Sequence, residues 1–396
     1  MQKTNIDLPI NESWTNNLSM RKTYLSIVAL LLLLSGCKEN FNPVVAPINT
    51  NILVVEGMIN AGADSTIINL SRTVLVSEKT TTKPEIGATL TVESESNQAY
   101  PLSELTTKKG TYGSLPLNLD PSKKYRLRIR TANGTIYLSD FVETKVSPVI
   151  DLVGYDADVT KGLQIYVNTK DQTNKSRYYR WEYEETWIFY SAYQSLLMWD
   201  GKDVVGRSSA NSIYQCWGNT KSSTIVLGSS VKLDKDVIFK QPIILNPSTS
   251  EKFTEKYSIL VKQYTLTKEA YDFWQNLKKN TESLGSIFDA QPSQLTGNIH
   301  NQANPLEPVI GFISAGTIQK QRIYITKGEL PGFTKPLNAD CNAAVVEPTT
   351  PLDFPLYFQS GFTVPIAFVG TGVLASSKEC VDCTLRGTNK KPAFWQ

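Results

Sequence analysis

A cysteine sits where an export signal would use its thiol. Leu34-Ser35-Gly36-Cys37 closes an eleven-residue apolar run, 24–34, which follows the basic pair Arg21-Lys22. A basic stretch, an apolar stretch and small residues before a cleavage point make up a secretory signal. As a helix the run covers about 16 Å, half of the roughly 30 Å hydrocarbon core, so it is too short to span a bilayer. The four residues ending at Cys37 resemble the bacterial lipobox, whose chemistry lipidates the thiol, cleaves before the cysteine and acylates the new amine. Two or three acyl chains anchor stably where one chain is marginal. Cys37 is the expected lipidation site, with 1–36 removed and Met20 the expected start.

Four more cysteines follow, Cys216, Cys341, Cys380 and Cys383. Outside the cytosol disulfides persist, and an even count invites pairing. Three connectivities are open, and the sequence does not choose among them. Cys341 precedes the Cys380 pair by a span whose closure would stabilise by about 4 kcal/mol in the chain-entropy picture, which suits a C-terminal staple. Cys380-Val381-Asp382-Cys383 has the spacing of a redox motif, yet it lies near the chain end and not at a strand-to-helix turn. Structural disulfides are therefore expected. Cys216 and Cys341 supply no second close pair for zinc. His300 is the single histidine, which removes most His-based triads and haem or zinc sites. Asp200-Gly201-Lys202-Asp203 and Asp234-Lys235-Asp236 lack the ligand ladder of a calcium loop. No metal and no cofactor is expected.

The remaining chemistry lies on one aromatic segment. Tyr179, Trp181 and Tyr183 alternate with Arg180, Glu182 and Glu184, so a strand would put the rings on one face and the charges on the other. Trp181, Tyr183 and Trp187 form a candidate ligand platform, with Glu182, Glu184 and Glu185 as carboxylates of the kind glycosidases use. Residues 182 and 184 would lie about 6.6 Å apart on one face, and a solvated charged face opposite a buried aromatic one accounts for the pattern. Arg126, Arg128 and Arg130 read the same way, as a basic stripe on a solvated face.

The elements that would hold these residues are mostly strands. With 41% hydrophobic and 19% charged residues, the 396-residue chain is in the globular range and long enough for two or three domains. Its formal charge of +3 gives no footprint for nucleic acid. Residues 37–50 read as an Asn- and Pro-rich tether. Short β-branched runs at 52–58, 66–71, 88–93 and 125–131 predict an immunoglobulin-like β-sandwich over 51–147, and Asn133-Gly134 marks a hairpin. The segment 150–396 is expected to be a larger antiparallel β domain, sandwich or barrel-like. Strands are expected at 163–167, 179–184, 257–261, 310–314, 322–326 and 356–358. One helix near 267–284 would be capped by Thr267, with Ala270, Phe273, Trp274, Leu277 and Leu284 on one side.

Leu53-Val54-Val55-Glu56-Gly57, Gly87-Ala88-Thr89-Leu90-Thr91-Val92, Gln215-Cys216-Trp217, Glu269-Ala270-Tyr271-Asp272-Phe273-Trp274 and the closing Cys380-Val381-Asp382-Cys383-Thr384 carry a family resemblance. Together they resemble the Bacteroidetes lipoprotein family called domain of unknown function 4249, over essentially the whole chain after Cys37. That family has no established activity or catalytic residues to carry over. The resemblance implies a non-enzymatic outer-membrane lipoprotein, a ligand-binding or accessory partner of a TonB-dependent transporter. Lys38-Glu39 also looks like the short charged tract that sends some Bacteroidetes lipoproteins to the cell surface. A surface glycan-binding or glycan-hydrolysing protein and a structural envelope lipoprotein are the alternatives.

Overall fold

The computed structural model describes residues 51–74, 83–282, 295–335, 340–347, 350 and 353–396. Cys37, the signal and tether segments and Leu284 lie outside the described residues. Nine strands occupy the N-terminal region: β1 (Leu53–Asn60), β2 (Ser65–Arg72), β3 (Lys83–Pro84), β4 (Thr89–Ser94), β5 (Ala99–Glu104), β6 (Thr111–Pro116), β7 (Lys124–Arg130), β8 (Ile136–Ser139) and β9 (Val142–Lys145). Nine more follow: β10 (Ile150–Asp158), β11 (Gly162–Asp171), β12 (Tyr178–Tyr190), β13 (Leu197–Trp199), β14 (Val204–Gly206), β15 (Gln215–Lys221), β16 (Val226–Ser229), β17 (Asp236–Asn246) and β18 (Lys256–Leu266). Helix α1 (Lys268–Glu282) precedes β19 (Ile299–Asn301), β20 (Val309–Ile310), β21 (Ala315–Gly316), β22 (Ile318–Thr326) and β23 (Ala343–Val346). The chain ends with α2 (Phe354–Phe358), β24 (Thr363–Val369), β25 (Gly372–Ser377) and α3 (Lys378–Val381). The protein is mainly β.

Where the sequence suggests two facing sheets, hydrogen bonding in the N-terminal region runs round a closed circuit of eight strands, β7-β4-β5-β6-β2-β1-β21-β9 and back to β7. Alternation supplies its core: Leu90 and Val92 of β4 and Tyr125, Leu127 and Ile129 of β7 are fully buried. The Asn133-Gly134 hairpin forms, with Gly134 at φ 90° and its N–H donating to Thr131 O at 2.9 Å. Closure depends on β21, which lies parallel to β1 and to β9 and fills the gap between them. β9 ends at Lys145 and β10 starts at Ile150, yet the circuit draws on residues 315–316 and its flanks on β19 and β20, which the sequence assigns to the later domain. Residues 50–396 cluster as one compact unit.

After residue 150, a pair of sheets shares a core. The sheet β10-β11-β17 contributes Val153, Leu163, Ile165 and Val167. The sheet β15-β12-β18-β22 contributes Tyr179, Trp181, Tyr183, Tyr257, Ile259 and Val261. Near the C-terminus β23-β25-β24 form a small sheet whose core includes Phe358. Residues 356–358, expected as strand, lie in α2 instead. Pro355 stands in the first turn, where its fixed φ suits a helix and its missing N–H is not needed. Helix α1 starts as expected, with Thr267 Oγ1 accepting from Ala270 N at 3.2 Å.

Asp171 closes β11 and turns the chain toward β12. Its carboxylate accepts from Thr173 N at 2.8 Å and Ser176 N at 2.9 Å. Burial alone would raise its pKa, but these hydrogen bonds overrule it and lower the value from 3.8 to about 2. A depressed carboxyl pKa contributes stability that is present above the unfolded value and is lost as pH falls through the folded value. The contribution is about 2 kcal/mol. Asp171→Asn is therefore expected to lower unfolding free energy by about 1–2 kcal/mol in urea at pH 7. The gap should close between pH 4 and pH 2, and an unchanged gap across that window would refute the assignment.

Candidate functional site

Strand β12 lies inside a sheet whose two faces meet different surroundings. Its odd-numbered rings point at the β10-β11-β17 layer. Trp181 is fully buried, and its Nε1 donates to Gln263 Oε1 at 3.0 Å. Tyr183 is 5% exposed. Trp187 is half-buried, with Lys252 Nζ 5.3 Å from its ring centroid. The ligand platform expected at Trp181, Tyr183 and Trp187 is thus core packing, because a second sheet covers that face. Glu185 is buried too. It pairs with Lys252 at 2.7 Å and accepts from Tyr257 Oη and Asn246 Nδ2, both at 2.8 Å. A buried carboxylate held this way is compensated, and its neighbour suffers: burial and the Glu185 charge push the Tyr257 hydroxyl pKa well up.

The even-numbered face carries the charge. Register puts Arg180 beside Tyr264 and Ile318, Glu182 beside Lys262 and Lys320, and Glu184 beside Leu260, Arg322 and Lys221. Arg180 Nη1 pairs with Glu182 Oε1 at 2.8 Å, and Tyr264 Oη donates to Glu182 Oε2 at 2.7 Å. The Arg180 guanidinium carbon lies 4.0 Å from the Trp274 ring centroid and 4.6 Å from that of Tyr264. Such stacking in a half-dry place adds about 1–2 kcal/mol to the pair. Burial first, and then the Glu182 charge, raise the Tyr264 hydroxyl pKa. The phenol therefore stays a donor.

Three elements wall this face into a cleft of about 750 Å³. Sheet residues Arg180, Lys262 and Lys320 make one wall, and the outward side of β1 and β2, with Glu56, Met58 and Ile67, makes the facing one. Helix α1 closes an end with Phe273, Trp274 and Leu277. Lys320 reaches across to Asp64 at 2.8 Å. A second groove of about 800 Å³ lies on the other side of α1 and shares Phe273 and Phe312 with the first. Two of its ion pairs are local, Lys145 on Glu143 and Lys268 on Asp272. The β1-facing cleft, with its arginine clamp, is the better candidate site.

The four cysteines pair as Cys216–Cys383 and Cys341–Cys380, with Cα separations of 5.7 and 5.6 Å. The two ends of the redox-spaced tetrad thus bond different partners, and both pairs staple the C-terminal region. From Cys383 the chain crosses the sheet edge, where Trp217 and Thr388 exchange backbone hydrogen bonds. It ends with Phe394 on Arg322 and Trp395 on Tyr324. His300 Nε2 lies 3.6 Å from Asp140, an exposed pair. Arg126 and Arg128 both face Glu93, at 2.7 and 3.8 Å. Among the described residues no group of three His, Cys, Asp or Glu side chains could hold a metal, and no helix is long and apolar enough to cross a membrane.

A closed strand circuit joined to two packed sheets, with a charged cleft between, defines a mainly β protein. The chain belongs to the family described as Domain of unknown function (DUF4249), whose model matches residues 38–322. No curated protein matches it. A solved structure, that of chicken CNTN1 FN1-FN3 domains, is similar at 11% identity, over 54% of this chain and 62% of that one, with a TM-score of 0.19. At that score the likeness carries no argument.

The sequence missed the cleft because Arg180, Glu182 and Glu184 looked like a face open to water. The alternation showed the face, but not what stands opposite. Two outcomes check this account. Trp181→Ala is expected to cost about 3–5 kcal/mol in chemical denaturation, as a buried ring does, where an exposed platform residue would cost under about 0.5 kcal/mol. Non-reducing peptide mapping is expected to recover 216–383 and 341–380 links. A 380–383 link would overturn the staple.

Proposed function

We propose that this protein is a non-enzymatic, lipid-anchored subunit of the outer membrane that takes a ligand in the β1-facing cleft and works beside a TonB-dependent transporter. The observation that carries the binding role is the arginine clamp. Arg180, Glu182, Tyr264 and Trp274 are held in one geometry by mutual hydrogen bonds and stacking before any ligand arrives. Preorganised polar groups in a concave, half-apolar site lose little entropy on binding, which is how small-molecule sites reach affinity. The lipid anchor rests on the lipobox at Cys37, and the transporter on the family resemblance. Glycan binding, as the second reading, draws on the half-buried Trp274 at the cleft, since Trp181, Tyr183 and Tyr264 are buried.

The tagged chain, purified from native membranes in mild detergent, is expected to bring a TonB-dependent receptor in stoichiometric yield. Its N-terminal peptide is expected to carry acyl chains on Cys37. Recovery of the chain alone would count against the partnership, and an unmodified Cys37 against the anchor.

A further inference from the structure

The charged face of the sheet is longer than the cleft. Residues that share it sit two apart along β18 and β22, so its rows fall about 7 Å apart. In order they are Lys262 beside Lys320, Leu260 beside Arg322, Ser258 beside Tyr324 and Lys256 beside Thr326. Only the first of these rows lines the cleft. Residues 389–396 lie across the other three. The Phe394 ring centroid is 3.7 Å from the Arg322 guanidinium carbon, and the Trp395 ring meets Tyr324 edge-on with centroids 5.8 Å apart. Tyr324 Oη donates to Phe394 O, and Lys256 Nζ donates to Gln396 O at 2.8 Å.

What holds this segment differs from what holds its surroundings. Cys383 is stapled to Cys216, and five residues on Thr388 exchanges two backbone hydrogen bonds with Trp217. Beyond Thr388 no backbone-to-backbone hydrogen bond reaches the sheet among the described residues. Trp395 N donates back to Pro392 O, and the carbonyls of Phe394 and Gln396 are taken by side chains. Both of those side-chain bonds lie at the surface, where water competes for each partner. The anchor is the Trp395 ring, which is 6% exposed yet stands outside the hydrophobic core that the two sheets share. A segment with few buried contacts and no ladder opens at a lower free energy than the strands beneath it.

We infer that residues 389–396 form a strap, hinged after the Trp217–Thr388 bridge, that opens without the sheet and sets how far the charged face extends. Closed, the strap ends the open face at the row of Lys262 and Lys320. Open, it uncovers Arg322, Tyr324 and Lys256, and the face runs the length of β22. A ligand or partner longer than the cleft meets these rows only with the strap open. The inference concerns the strap alone and does not rest on the ligand or the transporter proposed above.

Native-state hydrogen exchange and arginine modification of the full chain test this. The Trp395 amide is expected to exchange at least a hundredfold faster than the slowest amides of β22. Phenylglyoxal, mapped by peptide mass, is expected to modify Arg322 at least tenfold more slowly than the exposed Arg130. A full-length chain carrying Phe394→Ala and Trp395→Ala is expected to react at least tenfold faster at Arg322 than the wild type, with β22 exchange unchanged. Tyr324→Phe removes only the hydroxyl on Phe394 O, and is expected to speed Trp395 exchange at least threefold, again with β22 unchanged. Exchange of Trp395 in step with β22, loss of β22 protection in the double variant, or an Arg322 rate that the double variant does not change would each overturn the inference.

Discussion

Everything in this protein hangs on two residues of backbone. Ala315 and Gly316 slide between β1 and β9, and without them the strand circuit stays open along one side. The fit leaves no room for a side chain at the glycines. A Cβ on Gly316 would lie 2.4 Å from Lys145 O, one on Gly311 2.2 Å from Val55 O, and one on Gly297 1.8 Å from Gly311 O. Gly311 also adopts φ 139°, which other residues rarely do. Ile59 N donates to Ser314 O at 2.8 Å and Ala61 N to Gly316 O at 2.9 Å, so the inserted strand satisfies an edge that would otherwise be raw.

The same insertion sets the geometry of the cleft. One residue after β21 the chain becomes β22, the outer strand of the charged sheet. That residue, Thr317, is tied on both sides: its N donates to Lys145 O, its Oγ1 accepts from Ser147 N, and its O accepts from Ser147 Oγ at 2.7 Å. Ser147 Oγ in turn accepts from Thr265 N on β18 at 2.9 Å. Circuit and charged sheet therefore meet at a buried knot of backbone and hydroxyl groups, not at a loose linker. The distance from Met58 to Arg180 and Lys262 follows from it. Helix α1 then seals one end, and the stapled C-terminal segment covers the far rows at Tyr324 and Lys256. What remains open is the cleft beside Glu182, Lys262 and Lys221.

Local pattern in the sequence was readable wherever one strand or helix decides the matter. Leu163, Ile165 and Val167 are fully buried as their alternation implies, Thr267 caps α1, and the Asn133-Gly134 turn forms. The long-range pieces were not readable. A two-residue parallel strand has no periodicity to detect, and it joins a partner more than 250 residues earlier in the chain. The cleft shares that fate, because the β12-β18-β22 sheet, the outward side of β1 and β2, and α1 each supply one wall. Trp181 shows the complementary limit, since alternation says that rings share a face but not whether water or a second sheet lies above it.

If the knot joins the strand circuit to the charged sheet, they open together. Native-state hydrogen exchange on the full chain, with Gly316→Ala beside the wild type, measures this directly. The account predicts faster exchange in β1 and β9 and, to a similar degree, in β18 and β22. Loss of protection confined to the strand circuit, with β18 and β22 as slow as in the wild type, would contradict it.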